Sequence, residues 1–252
     1  MASTSETGHA KNVANFEDLI SFCTGYGATY NPSKAAIQIP TLNTLRTNAQ
    51  GSITGVNSSK TAFTNATNAR QTAFDPLKKL CTKIVNALDA TDATDKLVKD
   101  AKTINNKIQG KRSGVKTKPL PTPFPPMPPM PTPTPEDKSI SVSQQSYDSL
   151  IENLDKLITL VSSEPTYTPN ETDLQISTLQ TLLGNLRATN TAVVNAYTNY
   201  SNSRITRNSI LYTATSGLVD IAGDVKKYVK SVFGATSPQF KQVSKLEFKK
   251  VK

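Results

Sequence analysis

Apolar residues recur along this chain at intervals of three and four, a spacing typical of one face of an α-helix. Two stretches follow this spacing as a heptad-like stripe, and each predicts one long helix, over about 33–74 and 170–211. Pro40 lies inside the first stretch and predicts a kink or a delayed helix start there, because a proline inside a helix removes a hydrogen bond.

Shorter helices are predicted on both sides of each long one. One precedes it, at about 16–22 and 147–161, and another follows it, beginning at Asp75-Pro76 in the first case. The predicted buried faces of the following helices are Leu77, Leu80, Cys81, Ile84, Val85 and Leu88 in the first copy and Leu218, Ile221, Ala222, Val225, Val229 and Val232 in the second. Basic final helices are predicted after Thr94 and Ser237, and we expect the last eight residues to be helical as well. No alternating pattern long enough for a β-strand is present, so the predicted fold class is all-α, with bundles of about three to four antiparallel helices.

The two long stretches begin with similar sequences. The segments 30–45 and 167–182, which lie 137 positions apart, are identical at eight of sixteen residues. The match continues downstream and predicts an internal duplication of about 105 residues, the size of a whole domain. We therefore expect two homologous helical bundles, at 14–112 and 139–252, preceded by a disordered segment at 1–13.

The segment between the copies, 113–138, is rich in proline. Ten of the chain's sixteen prolines lie between Pro119 and Pro135. Proline fixes its own backbone torsion and restricts the preceding residue, so a polyproline II linker spanning about 50 Å is predicted. A stiff spacer is the favoured interpretation, and a ligand for a proline-recognition domain around Phe124 is the alternative.

The two long helices should differ in stability. Gly51 and Gly55 in the first stand where the second has Ala188 and Ala192. Each glycine weakens a helix by roughly 1 kcal/mol relative to alanine. The second copy is therefore predicted to be the more stable one.

The surface is predicted to be polar and basic. Ser, Thr and Asn make up 75 of the 252 residues, and the net charge is +10. Basic residues close each copy and could attract a polyanion, although lysines late in a helix also complement its dipole. The candidate polyanion-binding residues are Lys107, Lys111, Arg112, Lys116, Lys118, Lys241, Lys245, Lys249, Lys250 and Lys252.

Few residues suit catalysis or metal binding. The sole histidine, His9, lies in the segment expected to be disordered, and no glycine-rich phosphate loop is present. The three aspartates of "LDATDATDK" match a calcium loop in spacing alone, without its glycine and terminal glutamate. Cys23 and Cys81 lack metal-ligand spacing and are expected to be reduced thiols in the core. We expect no catalytic residue, metal or cofactor.

Arg70 and Arg207 occupy matching positions on the two stripes, where apolar residues are expected. Each stem can pack against apolar neighbours while the tip reaches water. The alternative is a buried polar contact that sets the register of the helices. Under either interpretation, the two arginines are predicted to have equivalent environments.

Three functional hypotheses follow. The first is a non-enzymatic scaffolding protein that associates with itself or with other subunits of an assembly. The second is a basic binding module for nucleic acid or another polyanion, and the third, a membrane-active helical toxin, lacks an apolar hairpin. Neither a signal peptide nor an apolar membrane-spanning stretch is recognisable, so a cytoplasmic location is expected, with leaderless export as an open alternative.

Overall fold

The computed structural model describes residues 8–111 and 145–250, and these residues form helices and no β-strand. The predicted all-α class is confirmed. The α-helices are α1 (His9–Gly25), α2 (Ile39–Phe74), α3 (Leu77–Asp89), α4 (Asp95–Gln109), α5 (Tyr147–Ser162), α6 (Ile176–Tyr212), α7 (Leu218–Phe233) and α8 (Pro238–Ser244).

The described residues divide into two compact units that differ from the predicted ranges 14–112 and 139–252. Unit 1 combines the chain up to Thr67 with the chain from Val193, and unit 2 is the stretch between them, from Asn68 to Ala192. The division falls within α2 and within α6. It does so because α1 packs against α7 and α8, whereas α5 packs against α3 and α4. Each unit therefore takes helices from both halves of the chain, which we call half 1 (8–111) and half 2 (145–250).

Unit 1 has its own apolar core. Phe16 and Leu19 of α1 and Leu42 of α2 are fully buried together with residues of α7 such as Val225. The buried residues of α1 and of α7 recur at spacings of three and four, so each of these helices presents one apolar face to the core. The predicted buried face of α7 is confirmed except at Val232, which is 40% exposed.

Unit 2 is built around α3, α4 and α5. The predicted apolar face of α3 is buried, including Cys81, Ile84 and Leu88, and it packs with Leu154 and Leu157 of α5. The predicted start of α4 is also confirmed, because the Thr94 side chain accepts a hydrogen bond from the backbone of Leu97. Such a cap satisfies one of the amide groups that a helix start leaves unpaired.

The two long helices are entered through the same local structure. The Tyr30 hydroxyl donates to the Ile37 carbonyl at 2.6 Å, and the Tyr167 hydroxyl donates to the Leu174 carbonyl at 3.1 Å. Between donor and acceptor lies a 3₁₀ turn, at 35–37 in one case and 172–174 in the other. These turns delay both helices by about six residues relative to the predicted starts. Pro40 is the second residue of α2, where no interior hydrogen bond is lost.

Two sequence expectations need correction, and a third lies outside the described residues. Helix α1 begins at His9, so the disorder predicted for 1–13 is wrong for residues 9–13. The last helix ends at Ser244, and residues 246–250, expected to be helical, are irregular. Their backbone groups bind side chains of α1 and α7 instead, as described below. The predicted linker 113–138 falls outside the described residues.

Candidate interaction surfaces

Helix α6 carries apolar side chains on its solvent-facing side in unit 1. Val194, Tyr197 and Ile205 are 57%, 55% and 64% exposed. At 100° per residue these three positions fall within about 80° of the helix circumference, so they form one stripe. We call them the α6 stripe. Among the described residues, the one other large hydrophobic side chain with comparable exposure is Val232.

Aromatic rings adjoin the α6 stripe. The Phe63 ring lies 5.5 Å from that of Tyr197 and 6.2 Å from that of Tyr200, with the second pair stacked. The Arg204 guanidinium lies 5.6 Å from the centre of the Tyr200 ring. These contacts hold the base of the stripe in place, since paired aromatic rings and a cation over a ring face are both stabilising. Tyr197 therefore presents a preorganised apolar surface to solvent.

A second interaction surface lies between α1 and residues 246–250, which we call the 246–250 segment. Asn12 and Asn15 of α1 are only 3% and 6% exposed. The Asn12 amide donates to the Lys249 carbonyl at 2.8 Å and accepts from the Lys249 backbone at 3.1 Å. The Asn15 amide donates to the Glu247 carbonyl at 2.7 Å. Two buried side chains, one helical turn apart, thus bind the main chain of an irregular segment.

Helix α7 binds the same segment from the other side. The Lys226 amine donates to the Leu246 carbonyl and lies 5.2 Å from the centre of the Phe248 ring. The Phe248 ring also meets Phe16 edge-on at 6.5 Å. These backbone bonds explain why the segment is not helical, because its carbonyls are already satisfied by side chains.

The environments of Arg70 and Arg207 are not equivalent. The Arg70 guanidinium lies 3.9 Å above the centre of the Tyr147 ring and donates to the Asn190 side chain at 2.8 Å. Arg207 instead donates to its neighbour Asn208, at 2.8 and 3.1 Å. The position aligned with Asn190 in half 1 is Ile53, which offers no acceptor. A register-setting contact therefore stays a prediction for Arg70 alone.

The described candidate polyanion-binding residues are divided between the two units. Lys107 and Lys111 belong to unit 2, whereas the described candidates of half 2 belong to unit 1; these are Lys241, Lys245, Lys249 and Lys250. Lys249 pairs with Glu247 at 3.1 Å, and Lys250 pairs with Asp220 at 3.1 Å. Arg112, Lys116, Lys118 and Lys252 lie outside the described residues.

The positive charge is nevertheless concentrated in one unit. Within the described residues, unit 1 has 13 Lys and Arg against five Asp and Glu, a net charge of +8. Unit 2 has 11 of each and is neutral. A polyanion would therefore be attracted mainly to unit 1.

Burial disfavours the reactive thiolate form of both cysteines. Burial raises the pKa of both Cys23 and Cys81 to about 12, and both thiols are free. The thiolate is the reactive form, so neither cysteine is activated as a nucleophile at neutral pH. His9 lies 2.6 Å from the Tyr212 hydroxyl, and burial, with Arg207 and Arg204 nearby, lowers its pKa.

No cluster of potential metal ligands is found within residues 8–111 and 145–250. Of the three aspartates with calcium-like spacing, Asp89 forms an ion pair with Lys102 at 2.9 Å. In the same part of the chain, no helix has the length and apolarity needed to cross a membrane. No protein-family model matches this chain, and neither a curated protein nor a solved structure shows significant similarity to it.

Proposed function

We propose that this chain is a non-enzymatic structural protein that self-associates through its helical units. The observation that carries the proposal is the α6 stripe, where Val194, Tyr197 and Ile205 face solvent. Each of these side chains is a little over half exposed, so burying the remainder would contribute roughly half of the ~1.5–3 kcal/mol that full burial provides. Clustered exposure of this kind marks interaction surfaces.

A second copy of the chain is the partner that we propose for the stripe. The aligned positions in half 1 are Asn57, Lys60 and Asn68, so residues 8–111 do not repeat the stripe that half 2 carries. A single apolar stripe finds a matching surface in the same stripe of another copy, in a two-fold arrangement that closes as a dimer.

The proposal extends to an origin by duplication. Both halves have the same order of α-helices, and both have a 3₁₀ turn just before the long helix, although half 1 has a further 3₁₀ turn at Gly27–Thr29. Both contain the same tyrosine–carbonyl hydrogen bond across seven residues, from Tyr30 and from Tyr167. Gln38 and Gln175 also accept the first backbone bond of their long helices, from Leu42 and Leu179. These shared details support two copies of one ancestral unit, with the proline-rich stretch as a spacer between them.

Light scattering after gel filtration tests the self-association. We expect the wild-type chain to elute as an oligomer and the triple variant Val194→Ser, Tyr197→Ser, Ile205→Ser to shift to the single-chain mass of 27.2 kDa. Val232→Ser is the matched control, because it removes an exposed valine of unit 1 that is not on the stripe. A wild-type chain that stays monomeric at high concentration, or a triple variant that assembles normally, would refute the proposal.

Polyanion binding by unit 1 is the second candidate function, favoured by its net charge of +8. Exchanging Lys241 and Lys245 for glutamine should weaken binding to a nucleic acid probe, and rising salt should weaken the wild-type binding steeply. Lys107→Gln with Lys111→Gln, in neutral unit 2, should have little effect. Binding that ignores both salt and the unit 1 lysines would exclude this function.

A further inference from the structure

Each half of the chain supplies the polar groups that the other half requires. Asn12 and Asn15 of half 1 bind the main chain of the 246–250 segment of half 2. In half 2 the residue aligned with Asn15 is Ser146, and its hydroxyl caps α5 by accepting from the Ser149 amide at 3.2 Å. Helix α5 thus has no equivalent group with which to bind the 246–250 segment.

The other pairing is equally specific. Gln145, just before α5, donates to the carbonyls of Lys107 and Ile108 near the end of α4, at 2.8 and 3.3 Å. Most carbonyls of a regular helix such as α4 are already used within the helix. If half 1 folded without half 2, α1 would pack against α4 in place of the 246–250 segment. The buried Asn12 and Asn15 would then lose their backbone partners. A buried polar group without a partner costs about 1–3 kcal/mol.

Charges also favour the pairing of half 1 with half 2, which we call the crossed pairing. In unit 1 Lys34, in the loop before α2, pairs with Asp224 of α7 at 2.6 Å. In unit 2 the signs are reversed, because Asp173, in the turn before α6, pairs with Lys83 of α3 at 3.0 Å.

Closure of each half on itself would replace these attractions. The position aligned with Lys83 in half 2 is Asp220, so Asp173 would meet a like charge. The position aligned with Asp224 in half 1 is Ala87, so Lys34 would lose its ion pair. These two contacts therefore both join opposite charges only when half 1 meets half 2.

We propose that half 1 and half 2 are complementary partners that cannot close on themselves, and that a second copy of this chain is a partner for the same surfaces. Half 1 of one copy then completes half 2 of another. The inference rests on the proposed self-association. Exchange requires the two halves of a chain to separate, so it takes place during refolding, whereas folded chains associate through the α6 stripe. Reciprocal exchange between two copies gives a closed dimer, and successive exchange gives a head-to-tail assembly.

Two full-length charge variants test this exchange. Variant A carries Lys34→Asp and Lys83→Asp in half 1, and variant B carries Asp173→Lys and Asp224→Lys in half 2. Within either chain, both crossed contacts become like-charge pairs. When A and B exchange halves, all four contacts between them regain opposite charges. All four side chains are partly exposed, so the substitutions leave the cores intact.

The variants are refolded together, with an affinity tag on B, and captured material is weighed by light scattering. A matched control, Lys79→Asp with Lys96→Asp, changes the net charge of half 1 equally at lysines outside the two loop contacts. We expect B to capture A in a 1:1 complex at least about tenfold more than it captures the control. Equal capture of A and of the control would overturn the inference.

This experiment separates the inference from the proposed function. A wild-type chain that assembles while A and B fail to pair would leave the α6 stripe as the means of assembly and refute exchange. A wild-type chain that stays monomeric while A and B pair would refute self-association as the function and retain the complementarity of the halves.

Discussion

Units 1 and 2 contain corresponding helices but complete their cores differently. Unit 2 uses a regular 15-residue helix, α4, which packs against α5. Unit 1 has only the seven-residue α8 at that point, and the irregular 246–250 segment follows it. Two buried asparagines on α1 supply the backbone partners that a helix would have supplied for itself. The difference shows that a unit can be completed without a long regular helix at this point if a neighbouring helix carries side chains that bind the main chain of the irregular segment.

The largest expected effect compares the aromatic residues at the start of α1 and α5. Phe16 is fully buried in unit 1, whereas the aligned Tyr147 in unit 2 is partly exposed. We expect Phe16→Ala to lower the free energy of unfolding by about 3–5 kcal/mol. Tyr147→Ala should cost less, and urea denaturation followed by circular dichroism measures both. Equal losses would show that the two side chains contribute equally to the free energy of unfolding.

The next effect concerns the polar groups that distinguish the units. Asn15→Ala removes the donor to the Glu247 carbonyl and should cost about 1–3 kcal/mol of stability. Ser146→Ala, at the aligned position, removes only a helix cap and should cost about 1 kcal/mol. Hydrogen exchange should then show faster exchange in the 246–250 segment for the first variant only. An unchanged segment in Asn15→Ala would contradict the proposed role of α1.

The two matched arginines offer a third comparison. Arg70→Ala removes a contact with the Tyr147 ring and a hydrogen bond to Asn190, together about 1–2 kcal/mol. Arg207→Ala removes bonds to the adjacent Asn208 and should change stability by less than about 0.5 kcal/mol. Thermal melts of the two variants measure the difference, and Asn190→Ala should reproduce part of the Arg70 effect. Identical melting temperatures for the two arginine variants would show that the two side chains contribute equally to stability, despite their different contacts.

The smallest expected effect is a gain in stability. A methyl group added at Gly51 or Gly55 meets no atom within 4 Å. Alanine at either position should therefore stabilise α2 by up to about 1 kcal/mol. Ala188→Gly and Ala192→Gly should weaken α6 by a similar amount in unit 2. A loss of stability in Gly51→Ala would contradict this expectation.

The apolar faces of the helices could be predicted from the sequence, because burial on a helix follows its 3.6-residue period. The spacing of Cys81, Ile84 and Leu88 predicted the buried face of α3 without any knowledge of its partner. The crossed pairing could not be predicted in this way. A repeat specifies the same helices whether each half closes on itself or on the other, and the choice depends on polar contacts such as Asn12 with Lys249, which lie 237 residues apart.

The hydrophobic periodicity also failed to predict the exposed α6 stripe and the start of α1 at His9. Adjacent valines at 193 and 194 are 6% and 57% exposed, and hydropathy alone does not distinguish them. Asn12 and Asn15 interrupt the apolar face of α1 although both are buried, so the helix seemed to start later than His9. Such polar residues satisfy backbone groups of a remote segment, which no local pattern reveals.

The crossing of the halves also sets an order of events during protein synthesis. Unit 2 can be completed once Ala192 has left the ribosome, but unit 1 needs residues up to 250. At about 5–20 residues per second, Lys249 emerges about 10–50 s after Asn12. During this interval α1 lacks the α7 and α8 residues that pack against it, so part of its apolar face is exposed to chaperones and to neighbouring nascent chains on the same messenger RNA. Pausing of translation late in half 2 would lengthen that exposure.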